Sequence, residues 1–93
     1  VKQKILERIR NCIRTGRYEL TMHANDEMVD DDLDILDIEY SILSGQLVKI
    51  ERDDLQGTKY TIYGIGRISE TPIGTVGRFT TSGKYRIITT YAI

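Results

Sequence analysis

Seven side chains are of the types that hold an anion and move a proton beside it: His23, Lys59, Tyr60, Arg78, Arg86, Thr90 and Tyr91. His23 is the sole imidazole, the side-chain type suited to accepting or releasing a proton near neutrality. Arg78 and Arg86 each offer a planar fork of donors that fits two phosphate oxygens, whereas Lys59 adds a compact point charge. Tyr91 combines a donor hydroxyl with a ring, Tyr60 offers a ring for stacking, and Thr90 offers a hydroxyl. Each also has an ordinary structural reading: His23 as a hydrogen-bonding residue beside a helix start, the cations as solvated strand residues, Tyr91 as packing near the chain end.

These residues are far apart in sequence, so the fold must bring them together. No glycine-rich phosphate loop, HExxH, CxxC or GxSxG motif occurs, and Gly64-Ile65-Gly66, a fragment of a dinucleotide signature, reads as a turn. The acidic run Asp30-Asp31-Asp32-Leu33-Asp34 lacks the glycine and distal glutamate of a calcium loop. It reads as helix punctuation, with Asp34 as a cap and Asp37 in the first turn behind it. No metal or other cofactor is expected.

The positioning elements are legible from residue pattern. Ile5, Leu6, Ile9, Cys12 and Ile13 fall at helical spacing in Lys2 to Thr15, with Gly16 as a stop and Cys12 as a packing residue. Tyr18 to Leu20 has the character of a very short edge strand, Thr21 of a cap, and Met22 to Val29 of two helical turns with Met28 inward. Ile35, Ile38, Ile42 and Leu43 line a further helix closed by Gly45. From Gln46 onward the chain reads as four strands: 47–52, 59–63, 75–80 and 85–91. The gaps between them hold turn formers, Asp53 to Gly57, Gly64 to Gly74 around Pro72, and Thr81 to Gly83. With no crossover helix between them, these strands predict an antiparallel meander. Simple alternation puts Arg86, Ile88 and Thr90 on one face of the last strand and Tyr85, Ile87, Thr89 and Tyr91 on the other. Arg78 shares a face with Val76 and Thr80.

The 93 residues, 40% of them hydrophobic, make one domain spanning 1–93. The fold expected is α+β: N-terminal helices packed on a four-stranded antiparallel sheet. Net charge is −1 but divided: 6 Lys+Arg against 10 Asp+Glu in residues 1–45, and 7 against 4 in residues 46–93. The sheet half is the basic half, and a polyanion would be drawn there. A single cysteine excludes an internal disulfide, and no apolar run approaches the roughly 18 residues of a membrane span. A cytoplasmic protein with no membrane partner is the expectation.

Several short segments carry a resemblance. His23-Ala24, Met28, the helix closing at Gly45, Lys59-Tyr60, Gly64, Val76-Gly77-Arg78-Phe79 and Ile88-Thr89-Thr90-Tyr91 resemble the domain-of-unknown-function 4258 family, which is itself similar to the RelE/ParE-like toxins. The resemblance implies a RelE-like fold and a metal-independent ribonuclease acting as the toxin of a toxin–antitoxin pair. RNA would be the substrate and a cognate antitoxin the protein partner. Cleavage by attack of a ribose 2′-OH on the adjacent phosphorus would use His23, Arg78 and Tyr91 as catalytic residues. Lys59, Tyr60, Arg86 and Thr90 would bind substrate. Glu27 and Asp31 stand where proteins resembling this one often carry arginines, removing two positive charges from the implied RNA path. A non-catalytic protein- or RNA-binding module of the same fold is the alternative, and an oligomer built through an exposed sheet edge is a third reading.

Overall fold

The computed structural model describes residues 2–52 and 55–93. Asp53 and Asp54, part of the first expected turn, lie outside the described residues. The elements in chain order are α1 (Lys2–Arg14), β1 (Tyr18–Leu20), α2 (Met22–Asp30), α3 (Ile35–Ser44), β2 (Gln46–Glu51), β3 (Lys59–Ile65), β4 (Pro72–Phe79) and β5 (Tyr85–Ala92).

The architecture is α+β, but the sheet has five strands in the order β1-β5-β4-β3-β2, and it is mixed. The antiparallel meander from β2 to β5 is present. What alternation within the meander did not show is that Tyr18–Leu20 returns to pair in parallel with Tyr85–Ile87. The connection between them includes α2 and α3, which supplies the crossover that parallel pairing needs. Gly64 and Ile65 are not a turn: β3 runs through both, and β4 begins at Pro72, a strand start where a missing N–H is tolerated.

Local chemistry accounts for each helix. α1 buries Leu6, Ile9, Cys12 and Ile13 on one stripe, and Gly16, at φ +73, turns the chain away while the Arg17 N–H returns to the Cys12 carbonyl at 2.8 Å. The Thr21 hydroxyl caps α2 by accepting from Ala24 N at 3.1 Å. Asp34 and Asp37 form a reciprocal capping box at the start of α3. At its other end the Arg10 guanidinium donates to the Gly45 carbonyl at 2.7 Å and the Ile42 carbonyl at 3.3 Å, a cation placed where the helix leaves bare carbonyls.

The helices cover one face of the sheet. Ile9, Ile38, Ile42, Ile73 and Ile87 are fully buried between the layers, and Ile62 nearly so, each such burial stabilising by about 1.5–3 kcal/mol. Tyr85 is also fully enclosed, stacked edge-on with Phe79 at 5.4 Å and lying over Gly77, yet its hydroxyl has no hydrogen-bond partner. Burial pushes its pKa up. Leaving a buried hydroxyl unpaired is destabilising by about 1–3 kcal/mol. Tyr85→Phe is therefore expected to leave the melting temperature unchanged or raise it by roughly 4–8 °C. A fall of similar size in a thermal melt would reveal a partner for that hydroxyl.

Candidate functional site

Cross-strand partners share a face, so the register of the sheet sorts the candidate residues. Rows on the helix-covered face contain Ile50, Tyr60, Gly77 and Ile87, then Leu47, Ile62, Thr75 and Thr90. The opposite face carries no helix among the described residues. Its rows are Glu51 with Lys59, and Arg78 with Arg86 and Glu19; then Lys49, Thr61, Val76 and Thr89; then Gln46, Tyr63, Gly74 and Tyr91. Lys59 precedes Tyr60, the partner of Gly77, so alternation brings it out beside Arg78.

One irregularity decides the grouping on β5. Val76 pairs with Thr89 and Gly77 with Ile87, so β5 carries Ile88 as an extra, bulged residue. The bulge reverses the alternation expected from a straight strand. Tyr85, Ile87 and Thr90 face the helices, whereas Arg86, Thr89 and Tyr91 emerge together on the bare face. Strand β2 has a similar bulge at Val48.

Lys59, Arg78 and Arg86 therefore stand in one cationic row. Arg86 Nε donates to Glu19 Oε2 at 2.9 Å, and Arg78 Nη1 donates to the Gln56 carbonyl. The Arg86–Glu19 pair is about half exposed on both sides and is of the kind worth little in water, so it can yield to a competing anion. Tyr91 lies over Gly74, four residues along β4 from Arg78, a separation of about 13 Å at strand rise. Its ring meets Tyr63 edge-on at 6.3 Å, with the two hydroxyls 3.4 Å apart. Desolvation, then the hydrogen bond and charge of Tyr63, push the Tyr91 pKa up to about 12. The hydroxyl thus keeps its proton at neutral pH.

The other candidates stand elsewhere. Thr90 is fully buried and its hydroxyl donates to the Ala24 carbonyl at 3.1 Å, which leaves nothing to offer a ligand. Tyr60 packs on the helix side, edge-on to Phe79 at 5.8 Å. His23 is on α2, which lies over the helix-covered side of β5, and its Nε2 sits 3.3 Å from Glu27 Oε1. The structure does not bring His23 to Arg78: β5 stands between β4, which carries Arg78, and α2, whose Glu27 meets the β5 edge at Thr90 N. A cleft of about 410 Å³ is lined by Tyr40, Ile65, Gly66, Arg67 and Glu70 and contains none of the seven.

Glu27 and Asp31 have a definite task. Strand β1 ends at Leu20, leaving the β5 edge unpaired beyond Ile87. Glu27 Oε1 accepts from Thr90 N at 3.2 Å, and Asp31 Oδ2 accepts from Ala92 N at 3.0 Å. Four residues of helix rise about 6 Å and two residues of strand about 6.6 Å, so the spacings match. A guanidinium has no acceptor and could not take these bonds. Tyr63 is a residue of this face that sequence reasoning passed over, and Asp37, read there as a first-turn charge, also holds the β3–β4 loop through Ile68 N and Ser69 N. Tyr63 was findable, since Lys59, Thr61 and Tyr63 alternate onto one face.

No curated protein and no solved structure matches the chain significantly. Residues 20–92, from the end of β1 through β5, match the model of a family described as Domain of unknown function (DUF4258), and the chain belongs to that family.

Proposed function

We propose that the chain binds single-stranded RNA on the bare face of its sheet. The observation that carries this reading is the row of Lys59, Arg78 and Arg86 on a face that no described helix covers. Cations in a row engage successive phosphates, and the exposed edges of Tyr63 and Tyr91 offer rings for an unstacked base about 13 Å away. The buried Thr90 and the distant His23 take no part in that contact. An uncovered sheet face with an aromatic pair suits splayed single strands better than a duplex, whose bases are already stacked.

A second reading is that RNA held there is cut without metal, by 2′-OH attack, as the likeness to RelE-like toxins implies. One observation favours it: Tyr91 is on the same face as the cations and carries a donor hydroxyl there. An antitoxin that covers the face would then complete the pair.

Fluorescence anisotropy with a labelled single-stranded RNA in EDTA tests both readings. Binding is expected to weaken with salt, with a log–log slope of roughly −2 for three phosphate contacts. Arg78→Ala with Arg86→Ala is expected to lower affinity about tenfold or more and to flatten that slope. Equal affinity of the double variant and the parent would end the binding reading. RNA that binds but stays intact after long incubation would end the ribonuclease reading alone.

A further inference from the structure

The two edges of the sheet are treated differently. At the β5 side, β1 pairs with Tyr85–Ile87, Thr21 N donates to the Ile87 carbonyl at 3.0 Å, and Glu27 and Asp31 take the donors that follow. Along the outer edge of β2, among the described residues, no strand and no side-chain hydrogen bond plays that part. An uncovered strand edge presents a row of backbone donors and acceptors to any chain that can align with it.

The side chains of β2 select the chain that aligns best. Lys49 and Glu51 both point to the bare face, 64% and 42% exposed, with their charged atoms 3.7 Å apart. Consider a second copy laid antiparallel against this edge about a twofold axis normal to the sheet. Facing residues must share a face, so the axis passes through one residue position. An axis at Lys49 sets lysine against lysine, and one at Glu51 sets glutamate against glutamate, both repulsive. An axis at Ile50 sets Lys49 opposite the partner's Glu51 and Glu51 opposite the partner's Lys49. It also places Ile50, at the rim of the core on the helix-covered face, against the partner's Ile50. Either phase of the antiparallel ladder permits an axis at that residue.

We infer that β2 is a self-association edge, through which two copies join antiparallel about Ile50, held in register by two Lys49–Glu51 pairs. The bulge at Val48 limits the regular ladder to the last residues of the strand. The contact is accordingly small and the dimer weak, with a dissociation constant of roughly 0.1–1 mM. Pairing in this way runs the bare faces of two copies into one continuous surface.

Sedimentation equilibrium of the 93-residue chain at low salt, from about 10 μM to about 2 mM, reads the association without any RNA, so it is independent of the RNA-binding reading. The expected result is a monomer–dimer equilibrium that weakens about tenfold or more in Lys49→Glu and in Glu51→Lys, each of which creates two like-charge pairs. The double variant K49E/E51K restores the alternation and is expected to return to within about threefold of the parent. Both positions are exposed, and circular dichroism melts confirm that each variant is folded. If a reversal unfolds the chain, Lys49→Gln and Glu51→Gln replace it, each expected to weaken association about threefold. A chain that stays monomeric throughout, single variants that associate as the parent does, or a double variant that fails to recover would each overturn the inference.

Discussion

Gly64→Ala is expected to lower stability by about 3 kcal/mol or more, which in a domain of this size is a fall in melting temperature of roughly 12–20 °C. Gly64 lies in β3 opposite Ile73, with the C-terminal half of α3 directly above it. A Cβ there would sit 2.0 Å from the Ser41 carbonyl oxygen, 2.7 Å from its carbon and 2.9 Å from the Ser41 Cα. All three are backbone atoms, so no side chain can swing aside. Relief requires α3 to lift from the sheet, and α3 carries Ile38 and Ile42, both fully buried. Lifting it opens the core along its length, which is why one methyl has so large an effect. Gly16 is the informative control. A Cβ at Gly16 would meet nothing within 4 Å, but the residue holds a φ of +73, so Gly16→Ala carries only backbone strain, about 1 kcal/mol. Thermal melts that show the two alanine variants alike would mean that α3 is not seated this closely on β3.

The contrast between these glycines also marks what sequence reading reaches. Gly16 was legible as a helix stop because its cause is local. Gly64 read as part of a turn because nothing near it in sequence shows that a helix lies across the strand there. The same division holds for the sheet. The apolar stripe of α1, the Thr21 and Asp34 caps and the four strands of the meander rest on residues within a turn or two of one another. The parallel pairing of β1 joins Tyr18–Leu20 to Tyr85–Ile87, and a three-residue segment carries too little pattern to name its partner.

At the candidate site, one bulge separates what was legible from what was not. Lys59, Arg78 and Arg86 come together through regular register, and their residue types suggested a common role. Tyr91 and Thr90 exchange sides because Ile88 adds one residue to β5. A strand with apolar residues on both sides gives no signal of such an insertion. His23 needed the position of α2 to be known. Glu27 and Asp31 looked like lost positive charge, whereas they complete a strand edge with the acceptors it lacks. Acidic residues on a short helix beside a short strand are thus a structural device here, whereas Lys59, Arg78 and Arg86 stand on the bare face of the sheet.

Asp37→Asn is expected to destabilise the chain by about 2–3 kcal/mol at neutral pH, lowering the melting temperature by roughly 10–20 °C. Asp37 is 1% exposed, so its carboxylate is almost wholly removed from water. It is held by what surrounds it: Oδ1 accepts from Ile68 N at 2.7 Å and Ser69 N at 3.0 Å, and Oδ2 accepts from Asp34 N at 3.1 Å. One side chain thereby closes the capping box of α3 and ties down the β3–β4 loop. Asparagine keeps the shape but has one acceptor oxygen. Turned to serve Ile68 and Ser69, it faces the Asp34 N–H with its own NH₂ group, donor against donor. The pH dependence follows from the same contacts. Burial pushes the Asp37 pKa up, but the N–H groups of Ser69, Asp34 and Ile68 and the Ser69 hydroxyl outweigh it, so in the folded chain it lies below the ordinary 3.8. A depressed folded value means that this stabilisation is complete above the unfolded pKa and is lost as pH falls through the folded one. The parent's melting temperature should therefore fall on acidification below about pH 4, while the asparagine variant lacks this component of the fall. The gap between the two should be widest at neutral pH and close under acid. Melts of both proteins from about pH 2 to pH 8 that show a constant gap, or none at pH 7, would mean that the loop is not held by an ionised Asp37.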